Sequence, residues 1–124
     1  MVEIEVVNRS GQDLDFEAAA DLIREVLQAE GIADGELGLQ LVGAEEIRDL
    51  KREHLGIDEE TDALAFPIDG RDALPAGMPR QLGDVVLCPQ VVGETWRAPL
   101  VHAVLHLVGY DHGSEMQARE RAHA

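Results

Sequence analysis

The stretch that most restricts the fold is PLVHAVLHLVG, residues 99–109, in which every residue between Pro99 and Gly109 is apolar except two histidines. Pro99 suits the first turn of a helix and Gly109 suits its end. A helix this apolar cannot rest on a surface with one face in water. Other elements must cover it on most sides, so it belongs at the centre of the molecule. The chain's 124 residues, 45% of them hydrophobic, are enough to build one core and too few for two, which predicts a single domain.

The covering elements are legible upstream. Residues 2–8 alternate Val2, Ile4 and Val6 with Glu3 and Glu5, the period of a half-buried strand. Asp13 or Asp15 can cap a helix over about residues 16–30, with Phe16, Ala19, Ala20, Ile23, Val26 and Leu27 as its stripe and Gly31 as its stop. Leu37, Leu39 and Leu41 mark a second strand within residues 37–43. A helix over about residues 45–55 follows, turning Ile47, Leu50 and either His54 or Leu55 to the sheet, with Gly56 closing it. Residues 63–66 and 84–88 are further strands ended by Pro67 and Pro89, and the composition between them is that of a loop. SEMQARERAHA reads as a short last helix. This order predicts an α+β fold with a mixed four-stranded sheet packed with helices.

Charge narrows the function. Ten Lys and Arg against 25 Asp and Glu leave −15, which opposes nonspecific attraction to nucleic acid. An RNA substrate would have to be held by a few well-placed cations or a metal. Cys88 is alone, so no intrachain disulfide forms, and it reads as a core thiol. With no long apolar span and no signal-like start, the expectation is a soluble, cytoplasmic protein with no membrane partner.

His102 and His106, four apart on a helix, project from one face a turn apart. A sharp turn at Gly109 can return His112 toward the same point, and three imidazoles would leave a zinc-type ion one open position for water. The spacing is that of a metzincin helix, but Ala103 stands where that class carries its general-base Glu. The expectation is a zincin-like metal-binding helix that keeps the ligands and has lost the base. Imidazole alone does not separate zinc from nickel and similar ions. Asp111 can stabilise the turn or accept a ring N–H from a ligand. Tyr110 can orient a phosphate or water, or simply pack. Arg97, just before the helix, is a candidate phosphate-binding cation. His54 reads as an ordinary helix residue and His123 as a frayed terminal one.

HAVLHLVGYDH, residues 102–112, closely resembles the H-G-x-L-H-L-x-G-Y-D-H signature of the YbeY family, bacterial rRNA maturation factors described as metal-dependent endoribonucleases. TDALAFP at 61–67 is similar to that family's T-D-V-L-S-F-P segment, LGDVVLC at 82–88 to its L-G-D-I-x-I-C/S strand, and EMQARE to its closing helix. The resemblance implies one zinc ion per chain held by His102, His106 and His112. It implies maturation of the 16S rRNA 3′ end and ribosome quality control, with precursor rRNA and the small ribosomal subunit or its assembly factors as partners. It also implies that Thr61, Asp62, Phe66 and Asp84 line or brace the cleft. Two positions depart from the pattern: Ala103 replaces a Gly, and Leu55 stands where many members carry an Arg, leaving Lys51 and Arg52 a turn earlier as cleft cations. The expected activity is a zinc-dependent endoribonuclease in which metal-activated water attacks a phosphodiester of single-stranded RNA and Arg97 meets the phosphate; either no separate side-chain base is needed, or Asp111 or Asp84 relays the proton. The alternatives are a metal-dependent hydrolase of another substrate, and a non-enzymatic ribosome-assembly factor with a structural metal. A fourth protein ligand on the metal would favour the latter.

Overall fold

The computed structural model describes residues 1–57, 61–110 and 113–123. Its strands are β1 (Val2–Asn8), β2 (Gly35–Leu41), β3 (Ala63–Pro67) and β4 (Gln81–Leu87); its helices are α1 (Phe16–Ala29), α2 (Ala44–Leu55), α3 (Pro89–Val92), α4 (Arg97–Leu107) and α5 (Ser114–Ala122). They form one sheet in the order β1-β2-β4-β3, with β1, β2 and β4 parallel and β3 antiparallel at the edge. The α+β class and the mixed four-stranded sheet follow the sequence. So does the central apolar helix, which packs against α1, α5, β3 and β4 and buries Leu100, Val101, Ala103, Val104, Leu105 and Leu107. Helix α4 starts two residues before Pro99, so the proline sits in the first turn, where no intrahelical N–H is required.

Alternation assigns the two faces of the sheet. Leu37, Leu39, Leu41, Val85 and Leu87 pack against α1 and α4, whose contributions include Ile23, Leu27, Val104 and Leu105. On the opposite face Val42, Leu64, Val86 and Cys88 meet Ile47 of α2. Asp15, one of the two expected caps, accepts a hydrogen bond from the Ala18 N–H at 3.0 Å and begins α1. Phe16 departs from the expected stripe and is exposed, because it is the first residue of the helix. At the end of α2 both His54 and Leu55 are exposed, and of the two it is His54 that meets the sheet, its ring edge-on to Phe66 at 4.9 Å. Cys88 is the buried core thiol the sequence predicts.

Two features escaped the periodicity. Strand β4 begins at Gln81 rather than Asp84, because Gly83 carries no side chain to register in an alternation. A Cβ at Gly83 would collide with the Phe66 carbonyl, and its φ of +128° lies where L side chains are rarely found. The loop over residues 68–80 is tied down: Arg80 donates from Nη1 to the Gly70 carbonyl at 2.7 Å and from Nη2 to the Asp72 carbonyl at 2.9 Å. Among the described residues, no helix is long and apolar enough to cross a membrane.

Candidate metal centre

Both histidines project from one flank of α4, since residues four apart lie one turn apart. His102 Nε2 and His106 Nε2 stand 3.2 Å apart, with the rings 83° from coplanar. Two nitrogens bound at about 2.0–2.1 Å to one tetrahedral ion stand roughly 3.3 Å apart, so this pair fits two corners of such a site. Without metal the same distance suits an N–H···N bond in which one ring donates and the other accepts. On the far side of its ring, His102 Nδ1 lies 3.4 Å from Glu120 Oε1. A carboxylate can only accept, so this contact favours the tautomer with the proton on Nδ1 and the Nε2 lone pair toward His106. Among the described residues, no group of three His, Cys, Asp or Glu side chains could hold a metal. His112 and Asp111, the expected third ligand and its neighbour, lie outside the described residues.

His106 opens onto a cleft of about 890 Å³ between the exit of α4, the first turn of α5 and residues 67–72. Gly109, at φ +100°, makes the turn that ends α4, and the Tyr110 N–H returns to the Leu105 carbonyl at 3.1 Å. Tyr110 lines the cleft, and its hydroxyl is engaged: it donates to Glu30 Oε1 at 2.7 Å. Among the described lining residues the cation is Arg71, beside Asp69, Asp72 and Glu115. Arg71 donates from Nε to the Val108 carbonyl at 3.0 Å and from Nη1 to the Glu30 carbonyl at 2.9 Å, so it anchors the loop wall while staying about half exposed.

Glu30 is the hub behind this cleft. It is buried at the end of α1 and also receives Arg119 from α5, through Nε at 2.7 Å and through Nη2. His123 Nε2 lies 3.4 Å from the same carboxylate, with its side chain only 10% exposed. The reading of His123 as a frayed end is therefore corrected: the buried carboxylate draws the end of α5 inward. Burial alone would raise the Glu30 carboxyl; the hydrogen bonds from Tyr110, Arg119 and His123 outweigh it and hold it below the usual carboxylate range.

The remaining candidates are spread over the molecule. Asp84 is not in the histidine cleft. In β4 it alternates with Val85 and Leu87, so it stands on the face away from α4, across from Gly38 and Phe66, where its carboxylate fills the space a Gly38 side chain would need. Phe66 shares that face and packs with α2. Lys51 and Arg52 ride on α2, also on that side of the sheet, and Arg52 pairs with Asp49 at 2.9 Å. Neither is among the residues lining the cleft at His106. Thr61 and Asp62 lead directly into β3, where Asp62 accepts the Ala63 N–H at 2.7 Å and its carbonyl accepts the Cys88 N–H at 2.9 Å. Asp62 thus braces the start of the edge strand that packs against α4. Arg97 stacks on Trp96 and lines a separate cavity of about 360 Å³ with Glu120 and His123, on the Nδ1 side of His102. Glu30, Arg71 and Glu120 were missed by sequence reasoning. The signal available for Glu120 was its place in the EMQARE segment, which drew no role.

Comparison with known proteins bears on the same arrangement. The family described as Endoribonuclease YbeY matches residues 5–123. Relatives bearing the name Endoribonuclease YbeY include one from Salinispora tropica, 36% identical over 96% of this chain and 88% of its own. Another, from Halorhodospira halophila, is 38% identical over 75% and 67% of the two chains. A third, from Mycobacterium ulcerans, is 32% identical over 96% and 76%. The solution structure of TM1509 from Thermotoga maritima is similar over 99% of this chain and 86% of that one, with a TM-score of 0.60 and 26% identity. Fold and relatives together define a small α+β nuclease, a hydrolase of phosphodiester bonds. The chain belongs to the YbeY endoribonuclease family.

Proposed function

We propose that this protein is a metal-dependent endoribonuclease that trims single-stranded precursor rRNA at the 3′ end of the 16S species in the cytoplasm, working with the small ribosomal subunit or its assembly factors and contributing to ribosome quality control. The observation that carries this reading is the convergence of His102 Nε2 and His106 Nε2 at 3.2 Å beside an open cleft, in a chain of this family. Those two rings, with His112 as the third ligand, would hold one divalent ion; zinc suits three imidazoles and an open fourth position. When bound, such an ion acidifies water and polarises a phosphoryl oxygen.

The chain's own residues supply the rest. Arg71 puts positive charge on the cleft wall for the phosphate. Asp111 is the proposed proton acceptor, since Ala103 offers none and Asp84 faces away. Arg97 lies beyond Glu120 from the histidine pair, so its effect is on RNA outside the scissile bond.

Cleavage of a precursor rRNA fragment together with metal analysis tests this. His106→Ala is expected to lose both metal and cleavage, while Arg97→Ala keeps its metal and cuts more weakly. Cleavage that persists in metal-free His106→Ala protein would overturn the assignment. The acidic cleft residues Asp69, Asp72 and Glu115 favour one second reading, an assembly factor whose metal is structural. In that case His106→Ala would unfold the protein and the intact protein would bind its ribosomal partner without cutting.

A further inference from the structure

We propose that Glu120 is a positioning residue that holds the His102 imidazole with Nε2 aimed at the metal position, and that the buried Glu30 carboxylate is the lock that sets Glu120 in place. The proposal rests on the reading of His102 and His106 as ligands.

Three observations carry it. Glu120 Oε1 lies 3.4 Å from His102 Nδ1, while the other ring nitrogen stands 3.2 Å from His106 Nε2. The ring is thus engaged from both sides, in the order carboxylate, imidazole, imidazole. A ligating histidine commonly gives its second N–H to a carboxylate, which fixes its tautomer and orientation and makes it a better donor. Next, Arg119 and Glu120 are neighbours on α5 and so point about 100° apart around the helix. Arg119 reaches Glu30 and turns Glu120 toward α4. Finally, His123, one turn beyond Arg119, meets the same carboxylate, so α5 is fastened at two successive turns of one flank. Rotation or sliding of α5 would have to break the contacts of a carboxylate that is 2% exposed.

The experiment is zinc affinity by chelator competition, paired with ring ¹⁵N shifts of His102 in the metal-free protein. Glu120 is about one-third exposed, so Glu120→Ala folds with nearly unchanged Tm. It is expected to weaken zinc about 10- to 100-fold and to shift His102 away from the Nδ1–H tautomer that wild type should favour. Glu120→Gln, which can still accept the N–H, falls between. Glu30→Gln loosens α5 without touching His102 and weakens zinc by a smaller factor. Wild-type affinity and an unchanged His102 spectrum in Glu120→Ala would overturn the proposal. His106→Ala keeps that outcome distinct: if it too binds zinc like wild type, the ligand assignment itself has failed.

Discussion

Glu30 sets a pH signature that a single substitution reads. Its folded carboxyl lies below the ordinary glutamate value of about 4.3, so the stabilisation it contributes is complete above that value and is lost as pH falls through the lower folded one. Against Glu30→Gln, wild type is expected to be more stable by about 2–3 kcal/mol near neutrality, the scale of charged hydrogen bonds whose arginine partners are partly exposed. Urea unfolding from pH 7 to pH 3 should show the two curves converging at the acid end, because a protonated Glu30 presents much what Gln does. A gap that stays constant with pH would mean that the carboxylate charge is not what the knot uses. Such a residue is hard to see in a sequence. Glu30 follows an amphipathic helix and resembles any polar stop; its burial is created by Arg119, 89 residues later. Glu120 is hidden for a related reason, since its partner lies on a different helix. The His102–His106 pair, by contrast, was legible because helical spacing alone puts both rings on one flank.

At the level of elements, local pattern recovered what local forces decide. The alternation of Leu37, Leu39 and Leu41 and the apolar run of α4 each name their own structure, and both were found. The start of β4, the strand order and the short helix α3 depend on what packs against them, and they were not. Gly83 illustrates the difference: a glycine in a strand reads as a weak point, yet here the β3 backbone presses against it. Gly83→Ala is expected to cost about 2–4 kcal/mol, because the nearest atom is a backbone carbonyl that cannot swing aside and φ is positive. A Tm within a degree of wild type would show that β3 can move off. Arg71 belongs to the same class of oversight, a loop residue whose value lies in where its loop is pinned. Arg71→Ala is expected to raise KM for RNA more than it lowers kcat, since it removes a cleft cation and a tether while leaving both histidines in place. An unchanged KM would remove Arg71 from the binding surface.

The whole molecule carries a net charge of −15, so RNA is held against a repulsive background. With few phosphates neutralised, the slope of log K against log salt for single-stranded RNA should be shallow, about −1 to −2 for two or three contacts. Titration of a His106→Ala protein with KCl would measure it without cleavage, and a slope near −5 would instead demand a broad basic surface. The sheet adds a consequence of its own. Strand β2 waits for β4, whose register begins at Gln81, and the histidines follow only at the next long helix. A nascent chain interrupted between β4 and that helix holds all four strands but none of the candidate ligands. Such a fragment bares the sheet face that α4 would cover, so synthesis commits the fold to its last helices before the histidines can meet.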